Sequence, residues 1–430
     1  MPNQDTISKR IRETRRQLGL SQAQLARPEL SDSYISLIES GSRTPTPSVL
    51  KLIATKLGCS VDYLLHGVAT DQVTEIRNGI ETARSLLEKG AREAAREQYE
   101  KMLSNPNIAR MPELRAEGEY GLALATEACG RLDDAIGILV GLRERQADTL
   151  TDELRIASAL ALSRCYRDRG DVEAAIDVAE QEIARMGETG WTDHLIELGS
   201  TLLSSYYGRG DLLRAQQLAA ELLAAAEKLG TPRAIIAANW NAAHLAEAIG
   251  QFEEALTLID RAWAERSNYD DLRNKARLRV AYAQLRLRIR PDEAEECRGQ
   301  LLKAEHELRE TAASSLDLAD CLLSLARAEV ELGNAEQAVD YGRKALEANA
   351  GASSELQAEI EVLRGQAYLM LGRIQEATAA IESAMDVLAG EPQNKMTAET
   401  WLGVAAVLQG TGDNEGSKLA YQRAMECSGV

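Results

Sequence analysis

Side chains that commonly perform catalysis or bind metals are few and scattered in this sequence. The six cysteines contain no CxxC pair, so neither a metal site nor a disulfide framework is expected, and buried, reduced thiols are predicted instead. His244 has no nucleophile, glycine-rich phosphate loop or metal-binding set near it in the sequence, which favours a binding role over that of a general base. The pattern predicts neither an enzyme nor a cofactor or metal site.

The charge is divided unevenly along the 430 residues. Residues 1–67 contain nine Lys/Arg and six Asp/Glu, a formal charge of +3, whereas the remainder carries −21 and the whole chain −18. A basic N-terminal region joined to an acidic remainder is typical of a chain that binds a polyanion through the N-terminal region only, because the acidic remainder would be repelled. No apolar run approaches the roughly 20 residues needed to span a bilayer, so we expect a cytoplasmic protein.

Helix signals are dense in the first 67 residues. Ile7, Ile11 and Leu18 are spaced to share one face of a first helix that ends at Gly19. Capping residues and a proline at a first helical position predict four more short helices. These helices start after Ser21, Ser31, Thr46 and Ser60. The pattern indicates a small all-α domain in which five helices share one apolar core.

The string LGLSQAQLA, followed by SDSYISLIESGSRTPTPSVLKLIATKLGCSVDYLL, resembles the lambda-repressor/Cro-like (XRE) family of helix-turn-helix domains almost end to end. The match covers about 60 residues and includes the IxxIExG of the third helix. The resemblance implies that this recognition helix enters the major groove of duplex DNA. The turn before it reads Arg27-Pro28-Glu29-Leu30, where the family commonly has Gly, which leaves the tilt of the recognition helix open.

The same resemblance implies which side chains meet DNA. Outward residues of the recognition helix contact base edges, Gln22 holds a phosphate near the start of the second helix, and residues after the recognition helix hold another phosphate. The expected DNA-binding residues are Gln22, Asp32, Ser33, Tyr34, Ser36, Leu37, Ser42, Arg43 and Thr44. Asp32 is equally explained as a capping residue, and Arg15 with Glu39 is expected to form a structural ion pair.

Beyond residue 67 the sequence repeats itself. After a linker at residues 68–72, turn residues recur every 39 to 43 positions through residues 73–430, and most are followed five residues later by a small Ala. The turn residues are Gly90, Gly130, Gly170, Gly210, Gly250, Arg290, Gly333, Gly372 and Gly412. The segments AANWNAAHLAEAIGQFEEALTLIDRAW and LLSLARAEVELGNAEQAVDYGRKALE look like tetratricopeptide (TPR) repeats. This likeness implies about nine helical hairpins in a right-handed superhelix, whose first helices line a concave groove.

By analogy with TPR geometry, polar residues on the central first helices face the groove. The expected ligand-binding residues are Arg164, Arg167, Ser204, Tyr207, Trp240, Asn241, His244, Arg277, Gln284 and Arg327. An Asn side chain can donate to and accept from an extended peptide backbone, and arginines can hold a carboxylate by bidentate bonding. The alternative is a solvated mixed-charge face, in which the arginines pair with Glu197, Glu247 and Asp320 of adjacent repeats.

A DNA-reading domain joined to TPR repeats resembles the peptide-responsive (RRNPP) regulators of Gram-positive bacteria. The resemblance implies a homodimeric, quorum-sensing transcription regulator whose groove binds a small peptide and thereby changes operator affinity. A dimer is expected because two matching half-sites multiply specificity. The alternative function is a DNA-tethered adaptor or scaffold that recruits a protein partner through the groove without a small ligand.

Overall fold

The computed structural model describes residues 4–145, 150–186, 190–268, 272–311, 313–393 and 395–428, and within these ranges all regular structure is helical. The chain forms two compact units. The first unit comprises Met1–Leu86, Ala94–Leu122 and Gly141–Thr151, and the second comprises Leu87–Glu93, Ala123–Val140 and Asp152–Val430. None of the described helices combines the length and the apolar content that crossing a membrane requires.

Five short helices begin the first unit. They are α1 (Gln4–Gln17), α2 (Gln22–Ala26), α3 (Asp32–Glu39), α4 (Pro47–Lys56) and α5 (Val61–His66). The hydroxyl groups of Ser21, Ser31, Thr46 and Ser60 accept hydrogen bonds from backbone N–H groups in the first turns of α2, α3, α4 and α5 respectively. Caps of this kind contribute about 1 kcal/mol each, and they confirm the predicted starts of these four helices.

The five helices enclose one apolar core, as predicted. Its buried members include Ile7, Ile11, Leu25, Ile35, Ile38, Leu50, Ile53 and Leu64. The prediction that Leu18 shares the buried face of the first helix is wrong, because its side chain is 52% exposed. Helix α1 ends at Gln17, and the chain reverses at Gly19 with a φ of +69°, which turns Leu18 towards solvent.

Nine helical hairpins follow within the described ranges, which agrees with the predicted number. They are α6 (Thr70–Glu88) with α7 (Arg92–Leu103), α8 (Pro112–Ala128) with α9 (Leu132–Arg145), α10 (Asp152–Asp168) with α11 (Val172–Met186), α12 (Asp193–Arg209) with α13 (Leu212–Leu229), α14 (Pro232–Ala248) with α15 (Phe252–Ala264), α16 (Leu272–Ile289) with α17 (Ala294–Arg309), α18 (Ser315–Glu331) with α19 (Ala335–Asn349), α20 (Ser354–Met370) with α21 (Ile374–Leu388), and α22 (Lys395–Thr411) with α23 (Asn414–Ser428). Short 3-10 helices occupy Pro106–Arg110, Glu265–Asn268 and Pro291–Glu293.

The turn within each hairpin explains the sequence period. All eight predicted turn glycines have a φ between +69° and +88°, a region that side chains with a Cβ rarely adopt. Arg290 has a φ of −131° instead, and the chain continues there into a 3-10 helix. The alanines five positions after seven of these glycines are no more than 1% exposed, because each lies between two helices. They are Ala95, Ala135, Ala175, Ala215, Ala255, Ala338 and Ala377.

Two features differ from the sequence predictions. Helix α6 begins at Thr70, inside the predicted linker at residues 68–72, because Val73, Ile76 and Ile80 are buried at helical spacing. The cysteines are also not uniformly buried. Cys165, Cys297 and Cys321 are buried, whereas Cys59, Cys129 and Cys427 are half-buried.

Candidate DNA-binding surface and ligand cavity

Helix α3 has one buried face and one exposed face. Ile35 and Ile38 are fully buried in the core. The exposed residues are Asp32, Ser33, Ser36 and Leu37. The Oγ of Ser31 accepts from the backbone N–H of Tyr34 at 3.2 Å, so Ser31 and not Asp32 is the N-cap. Helix α3 therefore presents carboxylate, hydroxyl and apolar groups on one exposed face.

A buried ion pair fixes the position of α3. The guanidinium of Arg15 donates to both oxygens of Glu39, at 2.6 and 2.8 Å, and also to the carbonyl of Leu20. Gln22 Nε2 donates to Glu39 at 2.9 Å. Burial would raise the pKa of Glu39, but the hydrogen bonds from Arg15 and Gln22 outweigh it and lower the pKa. The predicted structural pair is confirmed, and the contact with Glu39 uses one of the two N–H groups of the Gln22 amide.

The segment after α3 carries an unneutralised positive charge. Ser42, Arg43 and Thr44 are exposed, and no carboxylate of the described residues forms an ion pair with Arg43. Its guanidinium lies 4.8 Å above the ring of Tyr34, an attractive cation–π arrangement. Tyr34 is half-buried, so it supports Arg43 from below and is not presented outwards like Ser33 or Leu37.

Lys56 stabilises the turn before α3, a role that was not predicted from the sequence. Its Nζ donates to the carbonyls of Ala26 and Arg27 at 3.1 and 2.7 Å, and lies 2.5 Å from a carboxylate oxygen of Glu29. The peptide bond between Arg27 and Pro28 is cis. The only sequence signal was a basic residue in the last turn of α4, a common position that does not identify its partner.

A cavity of about 460 Å³ lies within the second unit. Its wall comes from the first helices of six successive hairpins, namely α12, α14, α16, α18, α20 and α22. Six of the predicted ligand residues line it. They are Ser204, Tyr207, Asn241, His244, Gln284 and Arg327. Its volume lies within the range of roughly 300–1,000 Å³ typical of sites for small ligands.

Two hydrogen bonds determine what α14 offers to the cavity. Trp240 Nε1 donates to His244 Nε2 at 2.9 Å, so Trp240 lies behind the wall and holds the imidazole. That nitrogen is then occupied as an acceptor, which removes it as a general base. Asn241 Nδ2 donates to the carbonyl of Ala237 at 3.0 Å. The amide oxygen and second N–H of Asn241 remain for a ligand.

Four carboxylates that sequence analysis did not assign to the ligand site also line the cavity. They are Glu247, Asp320, Glu359 and Glu399. Gln284 Nε2 donates to both oxygens of Asp320 at 2.9 Å. Burial raises the pKa of both Asp320 and Glu359. A signal existed: Asp320, Glu359 and Glu399 each lie thirteen positions before the next turn glycine.

The ion pairs near the cavity differ from those suggested by the mixed-charge alternative. Arg288 forms a two-point pair with Glu247, both contacts being 2.6 Å. Arg233 pairs with Glu197 at 2.7 and 2.6 Å. Glu197 and Glu247 are therefore bonded to arginines that the sequence did not indicate. Each pair joins residues of neighbouring hairpins, 36 and 41 positions apart in the sequence.

Three predicted ligand arginines are not part of the cavity wall. Arg164 donates to both oxygens of Glu127 at 2.7 and 2.6 Å, and Arg277 Nε lies 3.0 Å from Asp317. Arg167 bonds to its neighbour Asp168. They do not reach the cavity because these carboxylates hold their guanidiniums in place.

Arg273 joins these pairs into one arginine cluster, defined here as Arg92, Arg164, Arg273 and Arg277 with Glu127 and Asp317. Arg273 Nη2 lies 3.2 Å from Glu127 and 3.1 Å from Asp317. Burial would raise the pKa of Glu127, but the charges of Arg164 and Arg273 outweigh burial and lower that pKa to about 2. Burial would also raise the pKa of Asp317, but the charges of Arg277 and Arg273 lower it, so both carboxylates are ionised at neutral pH.

Among the described residues, no group of three His, Cys, Asp or Glu side chains is arranged to hold a metal ion. The cavity offers amide, hydroxyl, carboxylate and guanidinium groups, which recognise polar ligands by hydrogen bonds and charge.

Comparisons with known proteins agree with this architecture. Residues 11–64 match the helix-turn-helix family model HTH_3. A Rap protein crystallised in complex with competence and sporulation factor is 13% identical, with a TM-score of 0.55 over 82% of this chain and 98% of that one. Apo NprR, a quorum sensor from B. thuringiensis, is 13% identical, with a TM-score of 0.47 over 82% and 99%. Aspartyl phosphate phosphatase F from Bacillus subtilis is 14% identical, with a TM-score of 0.48 over 84% and 95%.

At 13% identity, the likeness to the Rap protein shows a shared fold and nothing about activity. The family model identifies the first five helices independently of that likeness. Residues 11–64 are thus a helix-turn-helix domain of the XRE type, and the hairpins that follow are a TPR-like helical array.

Proposed function

We propose that this chain is a sequence-specific transcription regulator whose affinity for its operator depends on a small peptide bound in the cavity of the second unit. The observation that carries the proposal is one chain with two exposed recognition surfaces. One is the exposed face of α3 in a helix-turn-helix domain, and the other is a polar cavity lined by the first helices of six successive hairpins.

The exposed residues of the helix-turn-helix domain have different roles in DNA binding. Arg43 supplies phosphate affinity that does not depend on sequence. Ser33 and Ser36 donate to or accept from base edges, and Leu37, which is 42% exposed, contacts a thymine methyl group. Two copies of the chain bind two half-sites of a pseudo-palindromic operator, since one such domain covers too little DNA for high specificity.

The ligand-binding half rests on the chemistry of the cavity. Asn241 keeps an amide oxygen and an N–H for a ligand, which suits the alternating donors and acceptors of an extended peptide backbone. The Rap protein with the same fold was crystallised in complex with competence and sporulation factor. That complex supports a ligand-binding role for an array of this fold.

Coupling between the two surfaces follows from the construction of the cavity. A ligand that touches six successive hairpins is sensitive to their spacing, because stacked repeats interact mainly with their nearest neighbours. It shifts the array between two shapes only by its differential affinity for them. Operator affinity then changes through the homodimer, in which the spacing of two DNA-binding domains depends on the shape of the array.

A genome-wide occupancy map of the full-length protein in the cells that produce it tests the proposal. We expect discrete sites that share a two-fold symmetric motif, and occupancy that changes when the peptide-sized fraction of spent medium is added. Leu37→Ala should alter the motif, whereas Leu213→Ala, which removes a leucine 69% exposed on α13, should not. Asn241→Ala should keep the motif and lose the response to the added fraction.

Two results would contradict the proposal. Uniform occupancy without a motif would exclude sequence-specific regulation. A sharp motif with no response to the fraction, together with a protein partner lost in Asn241→Ala, would favour the DNA-tethered adaptor.

A further inference from the structure

The arginine cluster has a formal charge of +2, because its four guanidiniums have only two carboxylates among them. Glu127 accepts from Arg164 at 2.7 and 2.6 Å and lies 3.2 Å from Arg273. Asp317 lies 3.1 Å from Arg273 and 3.0 Å from Arg277. Three of the four arginines thus already share the two carboxylates of the cluster.

Arg92 is the fourth arginine, and it forms no ion pair within the described part of the chain. Its side chain is half-buried, and its Nε is buried without a hydrogen-bond partner. Burial lowers its pKa, the charge of Asp317 opposes this effect, and the charges of Arg273 and Arg309 lower the pKa further. A charge that is withdrawn from water without a partner is costly. The positive charge of the cluster is therefore uncompensated at Arg92.

The side chains next to the cluster do not compensate this charge. Arg167 pairs with its neighbour Asp168 at 2.8 Å. Arg309 pairs with Glu305 at 2.9 Å. Each of these pairs is neutral overall, so neither offers a negative charge to Arg92. A counterion for the cluster therefore has to come from solution.

The cluster joins parts of the second unit that are far apart in the sequence. Glu127 contacts Arg273, which follows it by 146 positions. The hairpin turn at Gly90 lies against the end of α17, since a Cβ added there would lie 3.0 Å from the carbonyl oxygens of Arg309 and Thr311. An ion held in the cluster would therefore connect early and late hairpins of the array.

Three helices begin at the cluster. Arg92 is the first residue of α7, Arg273 the second of α16 and Asp317 the third of α18. Helix N-termini carry partial positive charge and unpaired N–H groups, which favour anions. Arg273 and Arg277 are 15% and 22% exposed, so small solutes can reach the site, and Arg277 donates otherwise only to the neutral amide of Asn274 at 3.3 Å.

We infer that the arginine cluster binds a tetrahedral dianion, a phosphate ion or the phosphate group of a small molecule, beside Arg92, Arg273 and Arg277. Two negative charges balance the formal +2 of the cluster, and the planar fork of a guanidinium matches the spacing of phosphate oxygens. The bound anion ties the hairpin turn at Gly90 to the start of α16. None of the six residues of the cluster lines the cavity, so this site is separate from the proposed peptide site and does not depend on it.

Equilibrium dialysis of the full-length protein against radiolabelled inorganic phosphate measures the binding. At about pH 8, where phosphate is a dianion, and in constant sodium chloride, we expect one bound phosphate per chain. Arg92→Gln should weaken binding about ten- to hundredfold, the usual effect of losing a hydrogen bond between charged groups. Arg423→Gln is the matched control, since Arg423 lies on α23, is 55% exposed and pairs with Glu426, and it should bind phosphate like the original protein.

Competition with phenyl phosphate distinguishes the two sources of the phosphate group. Displacement of the labelled ion would show that the site admits a phosphate group carried by a larger molecule. Binding of inorganic phosphate that phenyl phosphate does not displace would show that the site takes the free ion.

Thermal unfolding provides a second test, because Arg92 has no partner to lose. Without phosphate, Arg92→Gln should unfold at the same temperature as the original protein or at a higher one, since the substitution removes an unpaired charge. With phosphate, the original protein should gain more stability than the variant, because a ligand that binds only the folded state stabilises it. Phosphate also stabilises proteins by exclusion from their surface, so the two proteins are compared at the same concentration.

Deuterium exchange locates the anion without any variant, so misfolding of Arg92→Gln would not prevent a decision. Phosphate should slow exchange in residues 87–93 and in the first turns of α16 and α18, whereas sodium chloride of equal ionic strength should not. Three results would overturn the site: no phosphate bound at millimolar concentration, equal binding by the original protein and Arg92→Gln, or protection by phosphate that leaves these segments unchanged.

Discussion

Removing the charge of Glu39 should loosen α3 without removing any apolar core residue. The Glu39 side chain is 3% exposed and that of Arg15 is 10% exposed, and the two make a two-point contact. Breaking a buried pair by removing one partner costs about 3–5 kcal/mol. Glu39→Gln keeps one acceptor oxygen, so we expect about 3 kcal/mol, which corresponds to roughly a hundredfold more frequent local opening.

Deuterium exchange of the full-length protein measures this opening directly. Backbone amides of α2 and α3 should exchange about a hundredfold faster in Glu39→Gln, and DNA affinity should fall because α3 is no longer held. Glu13→Gln is the matched control, since Glu13 is 56% exposed and lies 3.9 Å from Lys9. Equal protection of α3 in the two variants would refute the claim that this ion pair positions the recognition helix.

The pH dependence provides a second check on the same pair. The pKa of Glu39 is lowered in the folded state, so its contribution to stability is present above its ordinary pKa and is lost as pH falls through the folded-state value. Protection of α3 should therefore decrease in acid in the original protein. In Glu39→Gln this decrease should be smaller.

Three further predictions concern separate sites. Arg43→Ala should weaken binding to all duplexes alike and reduce the slope of log affinity against log salt by about 0.9, measured by titration at several salt concentrations. Gly67→Ala should destabilise α5 by about 1–3 kcal/mol, measured by deuterium exchange, because φ is +68° and the new Cβ would lie 3.0 Å from Arg10 Nε. Gly170→Ala is the control, since it adds backbone strain at a positive φ without a close contact. Burial, then the charge of Glu359, raises the pKa of Glu355 to about 7, so the stability that is fully present below its ordinary pKa is lost as pH rises towards 7. Between pH 5 and 7 the unfolding temperature should therefore fall, and Glu355→Gln should reduce that fall.

Local signals in the sequence predicted the elements well. Ser31 and Ser60 cap helices because their short side chains accept hydrogen bonds from backbone N–H groups three residues later. Gly210 and Ala215 mark a hairpin because the turn needs a positive φ and the helix crossing needs a small side chain. Such requirements act within a few residues, so they are visible in one sequence.

The cavity was only partly predictable, because its chemistry depends on contacts between hairpins. Asn241 and His244 line the cavity as expected, since their position on α14 follows from the repeat period. Arg164 does not, because Glu127, 37 residues earlier, holds its guanidinium. Which arginine meets which carboxylate is set by the offset between neighbouring hairpins, a quantity that a period of about 40 residues does not specify.

The measurement that tests the central claim most directly is competitive binding of the full-length protein to duplex DNA at about 150 mM salt. A duplex carrying the motif selected from a random pool should bind at least about a thousandfold more tightly than a scrambled duplex of equal length. Ser33→Ala together with Leu37→Ala should reduce that ratio more than it reduces affinity for the scrambled duplex. Equal and weak affinity for every duplex would contradict the assignment of α3 as a recognition helix.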